Sequence, residues 1–77
     1  MLNVLLVDDD RIVLDGLKKF VDWNAIGFQV AGTSLSAAEA VRFIEANLVD
    51  VLLTDIVMTG ADGFELIHDA RLINPYI

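Results

Sequence analysis

The sequence predicts an open α/β fold: three parallel strands joined by right-handed helical crossovers. Three observations carry that expectation. Short, continuously apolar, β-prone runs stand at "NVLLV" (residues 3–7) and "VLLTD" (residues 51–55), as strands buried on both faces should read. Strand-like and helix-like patterns alternate along the whole chain, which is the pattern of a parallel sheet. The apolar fraction is 56% with a positive mean hydropathy of +0.61, more than a disordered chain or a half-wet sheet would carry. At 77 residues the chain makes one small domain, near the size where a single core becomes marginal.

Each element has its own signal. After the first strand, Val13, Leu17, Phe20 and Val21 recur at helical spacing within residues 11–21, with Asp15, Lys18 and Lys19 off that face. Any of Asp8, Asp9 or Asp10 can cap this helix, where negative charge suits the dipole. Gly27 breaks the pattern, and "FQVAGTS" (Phe28–Ser34) reads as a second strand of thinner apolar content. Ser36 is the expected N-cap of a helix over residues 37–47, with Ala37, Val41, Ile44 and Leu48 as its apolar stripe. The third strand follows, then "IVMTGADG" as a loop. A third amphipathic helix over residues 64–73 is stopped by Asn74 and Pro75. Trp23 and Phe28 read as core or staple residues, and His68 as a surface or rim residue.

The chemistry gathers where strands end. Asp8, Asp9 and Asp10 close the first strand and Asp55 closes the third. In open parallel sheets, ligands bind outside the carboxyl ends of the strands where strand order reverses. With strand order 2-1-3, the two acidic tips lie on neighbouring backbones about 4.8 Å apart. Carboxylates so close must hold a proton or recruit a cation, and an oxygen-only donor set points to Mg²⁺ or a similar hard ion.

"VLLVDDDRIVLDGLKKFV" followed by "VLLTDIVMTGADGFELI" resembles the receiver domain of two-component response regulators, in order and spacing over essentially the whole chain. The resemblance implies a flavodoxin-like (CheY-like) fold and a phosphoryl group taken from a sensor histidine kinase. It makes Asp55 the phosphoacceptor. Asp8 and Asp9 match the family's acidic pair that helps hold Mg²⁺, and the backbone carbonyl of Val57 completes the protein ligands. Met58, Thr59, Asp62 and Gly63 belong to the loop that follows, with Asp62 and Gly63 expected to serve turn and helix-start chemistry. The stretch "VDWNAIGFQVAGTS" resembles receivers found ahead of AraC-type DNA-binding domains. Two positions depart from the family pattern: Thr59 stands where proline is usual, and Ala37 where many receivers have glycine.

Family receivers have five βα units, so the resemblance implies residues 1–77 are the N-terminal part of a receiver, truncated before strand 4. The family's switch Ser or Thr and its Lys then fall beyond Ile77. The third strand becomes an apolar edge, and self-association is expected. DNA contact is expected only through an output domain absent from this chain, because a net charge of −7 leaves no basic footprint. That charge also disfavours anionic membranes, no apolar run is long enough to span one, and the lack of cysteine suits a reducing cytoplasm. The expected role is signalling rather than enzymatic, with at most self-catalysed phosphotransfer and dephosphorylation. Two other readings compete. Asp8 and Asp10 form a D-x-D pair similar to that of haloacid-dehalogenase-type phosphatases, although Ile12 stands where that motif usually has Thr or Val. A receiver-like scaffold that is never phosphorylated is the other.

Overall fold

The structure is a computed structural model and describes residues 1–58 and 61–77. Strand β1 (Leu2–Val7) lies at the centre of a three-stranded sheet, flanked on both sides by parallel partners β2 (Phe28–Ser34) and β3 (Val51–Thr54), in the order β2-β1-β3. Helix α1 (Arg11–Phe20) and a short 3₁₀ turn (Asn24–Ile26) connect β1 to β2, and α2 (Ala37–Ala46) connects β2 to β3. Beyond β3 the chain forms a small antiparallel ribbon, β4 (Val57–Met58) with β5 (Ala61–Asp62), and then α3 (Gly63–Ile73). Both the predicted fold class and the strand order are found. No helix among the described residues is long and apolar enough to cross a membrane.

Alternation along β1 divides the core into two halves. Leu5 and Val7 face one layer with Ala40, Ile44, Val49, Met58, Leu66 and Ala70. Val4 and Leu6 face the other, where Leu14 is their buried helical partner and Leu17, Trp23, Phe28 and Val30 pack around them. The first half is covered by α2 and α3, which pack on each other; among the described residues the second has α1 as its one helix of more than a single turn. Trp23 fills part of the thinner side. Its indole N–H donates to the Leu17 carbonyl at 3.1 Å, and its ring meets Phe28 edge-on.

Several local expectations are corrected. In α1 the inward stripe is Leu14 with Leu17, whereas Val13 and Phe20 are exposed. The helix is rolled so that i, i+3 neighbours meet the sheet and the two flanking apolar residues face outward. In α2, Ala40 and Ile44 are buried, with Ala37 and Val41 partly so. Leu48 lies beyond the helix and is exposed. The chain turns into extended backbone at Asn47, which throws Leu48 outward and inserts Val49, 1% exposed, into the core. Strand β3 ends at Thr54, one residue before Asp55, and the expected loop after it contains the β4–β5 ribbon. Helix α3 begins at Gly63 rather than Phe64, because Asp62 caps it by accepting the Glu65 N–H at 2.7 Å. Asn74 ends α3 as expected.

Candidate metal centre

Pairing between β1 and β3 carries the acidic tips to one place. Val7 is in register with Thr54, so Asp8 and Asp55 are the next residues outward on adjacent strands. The ladder continues one step further, with the Asp55 N–H donating to the Val7 carbonyl at 3.0 Å. On the other flank, the Asp8 N–H donates to the Ser34 carbonyl at 3.2 Å. Both aspartates thus leave the sheet from hydrogen-bonded backbone.

One carboxylate oxygen from each of Asp8, Asp9 and Asp55 lies within 4.8 Å of the other two. Two unit charges at that spacing repel by roughly 1 kcal/mol in water and about 4 kcal/mol at an effective dielectric near 20. Three of them form a negative focus whose charge a divalent cation would largely offset. All the donors are carboxylate oxygens, which fits a hard dication and not a soft metal. The neighbouring cleft, about 330 Å³, is lined by Val7, Asp8, Leu17, Leu53, Thr54 and Asp55 and is open to solvent.

Local hydrogen bonds sort the acids by role. Asp8 Oδ1 accepts the Asp10 N–H at 2.9 Å, tightening the turn out of β1. Asp10 Oδ1 accepts the Ile12 N–H at 2.9 Å and caps α1, which makes it the one of the three candidate aspartates that takes that role. That role turns the Asp10 side chain to the helix, and it is not part of the carboxylate cluster. Asp55 Oδ1 accepts the Val57 N–H at 3.4 Å, and the Asp55 carbonyl accepts the Thr54 hydroxyl at 2.9 Å.

The remaining loop residues are dispersed. Val57 lies on β4 with its side chain exposed, while Met58 turns inward and joins the core. Thr59 lies outside the described residues. Asp62 is committed to the α3 cap, and Gly63 is buried at the first position of that helix. His68 is exposed on α3, as expected. The sequence reading missed two supports: the Thr54 hydroxyl, and the Ile56 carbonyl that accepts the Gly63 N–H at 2.7 Å. The second is a backbone contact and leaves no mark in residue type.

This fold and this acidic cup define a signalling module of the receiver class. The family model for the response regulator receiver domain matches residues 4–75, and the chain belongs to that family. It is similar to the transcriptional regulatory protein YesN of Bacillus subtilis, at 34% identity over 77 residues that make up all of this chain and 21% of YesN. It is also similar to the response regulator UvrY of Escherichia coli O157:H7, at 40% identity over 65 residues, 84% of this chain and 29% of UvrY. Among solved structures it superposes on the two component transcriptional regulator AraC from Clostridium phytofermentans with a TM-score of 0.90. Identity there is 30%, over 99% of this chain and 61% of that one. The response regulator protein TrrA from Thermotoga maritima, in complex with Mg(2+)-BeF, gives a TM-score of 0.82 at 25% identity, over 97% of this chain and 63% of TrrA. The chain therefore spans less than a third of the length of the curated relatives it matches. The family match, together with Asp10 serving as a helix cap, sets aside the phosphatase reading built on Asp8 and Asp10.

Proposed function

We propose that this chain is the N-terminal part of a receiver that accepts a phosphoryl group on Asp55. The observation that carries the reading is the convergence of Asp8, Asp9 and Asp55 at the carboxyl ends of β1 and β3. An Asp55 carboxylate oxygen attacks the phosphorus of a phosphohistidine on a sensor histidine kinase. A P–O bond forms as the P–N bond breaks, leaving an acyl phosphate on Asp55 and a neutral imidazole on the kinase once it takes up a proton. A carboxylate is a weak nucleophile toward a phosphoryl group that carries negative charge itself. Asp8, Asp9 and Asp55, with the Val57 carbonyl, would hold Mg²⁺, which supplies positive charge between the reacting anions. Hydrogen bonds at the Asp55 N–H and to its Oδ1 support an orientation prepared before the kinase arrives.

The modification adds nearly two charges and three acceptor oxygens at one strand tip. Its output is a change of conformation, so the chain acts as a signalling element whose chemistry is limited to self-catalysed phosphotransfer and dephosphorylation. Similarity to transcriptional regulators supports a role in transcription, with DNA contacted by an output domain outside this chain. The cytoplasm, where histidine kinases present their phosphohistidine, is the compartment this reading requires. Among the described residues strand β3 pairs on one side only and Leu53 on it is exposed, so the isolated chain is expected to self-associate through that edge.

Intact-mass analysis after incubation with Mg²⁺ and acetyl phosphate tests the proposal. The expected result is the mass gain of one phosphoryl group, absent without Mg²⁺ and absent in Asp55→Asn. No gain, or an equal gain in Asp55→Asn, would overturn it and favour a scaffold that is not phosphorylated.

A further inference from the structure

We infer that Gly63 is a positioning residue for the phosphoacceptor, holding the Asp55 backbone in place by having no side chain. This rests on the reading of Asp55 given above. Gly63 is buried at the start of α3, and its N–H donates to the Ile56 carbonyl at 2.7 Å. A Cβ built there would overlap the Asp55 carbonyl oxygen. It would also stand 2.9 Å from the Ile56 Cα and 3.1 Å from the Asp55 carbonyl carbon. All three atoms are backbone, so none can swing aside as a side chain would.

Helix α3 cannot easily yield either. Asp62 caps it, and Leu66 and Ala70 pin it into the core at 1% and 0% exposure. Any side chain at position 63 must therefore displace the Asp55–Ile56 segment. That moves the Asp55 carboxylate relative to Asp8 and Asp9, in a cluster whose function tolerates errors of only about 0.5 Å. Two other glycines give the contrast. At Gly32 a Cβ would meet the rim of the Phe43 ring at 2.8 Å, a side chain that can rotate, and at Gly16 it would meet nothing within 4 Å.

The test is a Mg²⁺ titration of the full chain and its Gly63→Ala, Gly32→Ala and Gly16→Ala variants, well below their melting temperatures, with circular dichroism to verify folding. Gly63→Ala is expected to weaken Mg²⁺ on the order of tenfold or more while keeping its helical signal. The other two variants keep the parent affinity, including Gly32→Ala, whose added methyl strains the fold away from Asp55. Loss of stability alone would not lower the affinity of the folded fraction. A folded Gly63→Ala with parental affinity overturns the inference and leaves the Asp55 reading standing. Absence of saturable Mg²⁺ binding in the parent overturns both. Should Gly63→Ala not fold, amide resonances of the parent decide. Mg²⁺ must shift the Gly63 amide with the same midpoint as Asp55 while the Gly16 amide stays fixed, and an unmoved Gly63 amide overturns the inference.

Discussion

The two acidic strand tips are built on opposite plans. At the end of β1, three consecutive carboxylates divide the work: Asp8 braces the turn, Asp10 caps α1, and Asp8 and Asp9 reach the cluster. At the end of β3 a single carboxylate is held by its surroundings. Its N–H bonds the Val7 carbonyl, its side chain accepts the Val57 N–H, its carbonyl accepts the Thr54 hydroxyl, and the start of α3 abuts its backbone. The β1 tip spreads its hydrogen bonds over several acids and supplies two of the three clustered charges, whereas the β3 tip concentrates its bonds on one. On the function proposed above, the group that forms a bond has the second plan and the groups that help hold a cation have the first.

Substitutions can break this division, beginning with the largest effect. Asp55→Asn removes the only acid on the β3 tip and should eliminate phosphoryl incorporation completely, as read by intact mass. Asp9→Asn should leave the fold intact but weaken Mg²⁺ by about tenfold, or roughly 1.4 kcal/mol, in a calorimetric titration. Asp10→Ala should do the reverse: it costs about 1 kcal/mol in urea unfolding through the lost α1 cap and leaves the Mg²⁺ affinity unchanged. Thr54→Val removes one hydrogen bond to the Asp55 carbonyl and should cost about 0.5–1.5 kcal/mol by the same measurement. If Asp9→Asn and Asp10→Ala prove interchangeable in either assay, the division of labour on β1 fails.

Much of this was legible in the sequence because strand ends and acids coincide. The uninterrupted apolar runs at Val4–Val7 and Val51–Leu53 read as strands, and both are, with Val4–Val7 buried and β3 only half-buried with Leu53 exposed. The acids after them emerge at one edge of the sheet. Ser36 as a cap and Asn74 as a stop were equally plain. What escaped depends on rotation and on backbone. The roll of α1 exchanges Val13 for Leu14, which spacing alone does not resolve when both are apolar. The swap of Leu48 for Val49 follows from the turn at Asn47, where α2 gives way to extended backbone. The tie between Gly63 and the Asp55 backbone involves no side chain, so residue types could mark Gly63 only as part of a turn.

The two faces of the sheet differ in the same spirit. Leu5 and Val7 lie under two helices, and Val4 and Leu6 under one. The open cleft between Leu17 and Leu53 lies on the thinner side, directly beside Asp8 and Asp55. The cleft therefore opens where cover is least, which suits the approach of a partner to Asp55 that the proposed function requires.

Paramagnetic broadening by Mn²⁺, a hard dication standing in for Mg²⁺, tests the central geometry most directly. Backbone amides of Asp8, Asp9 and Asp55 should broaden together along one binding curve, and excess Mg²⁺ should restore all three. Broadening of Asp8 and Asp9 that leaves Asp55 sharp would show the two strand tips do not share a cation.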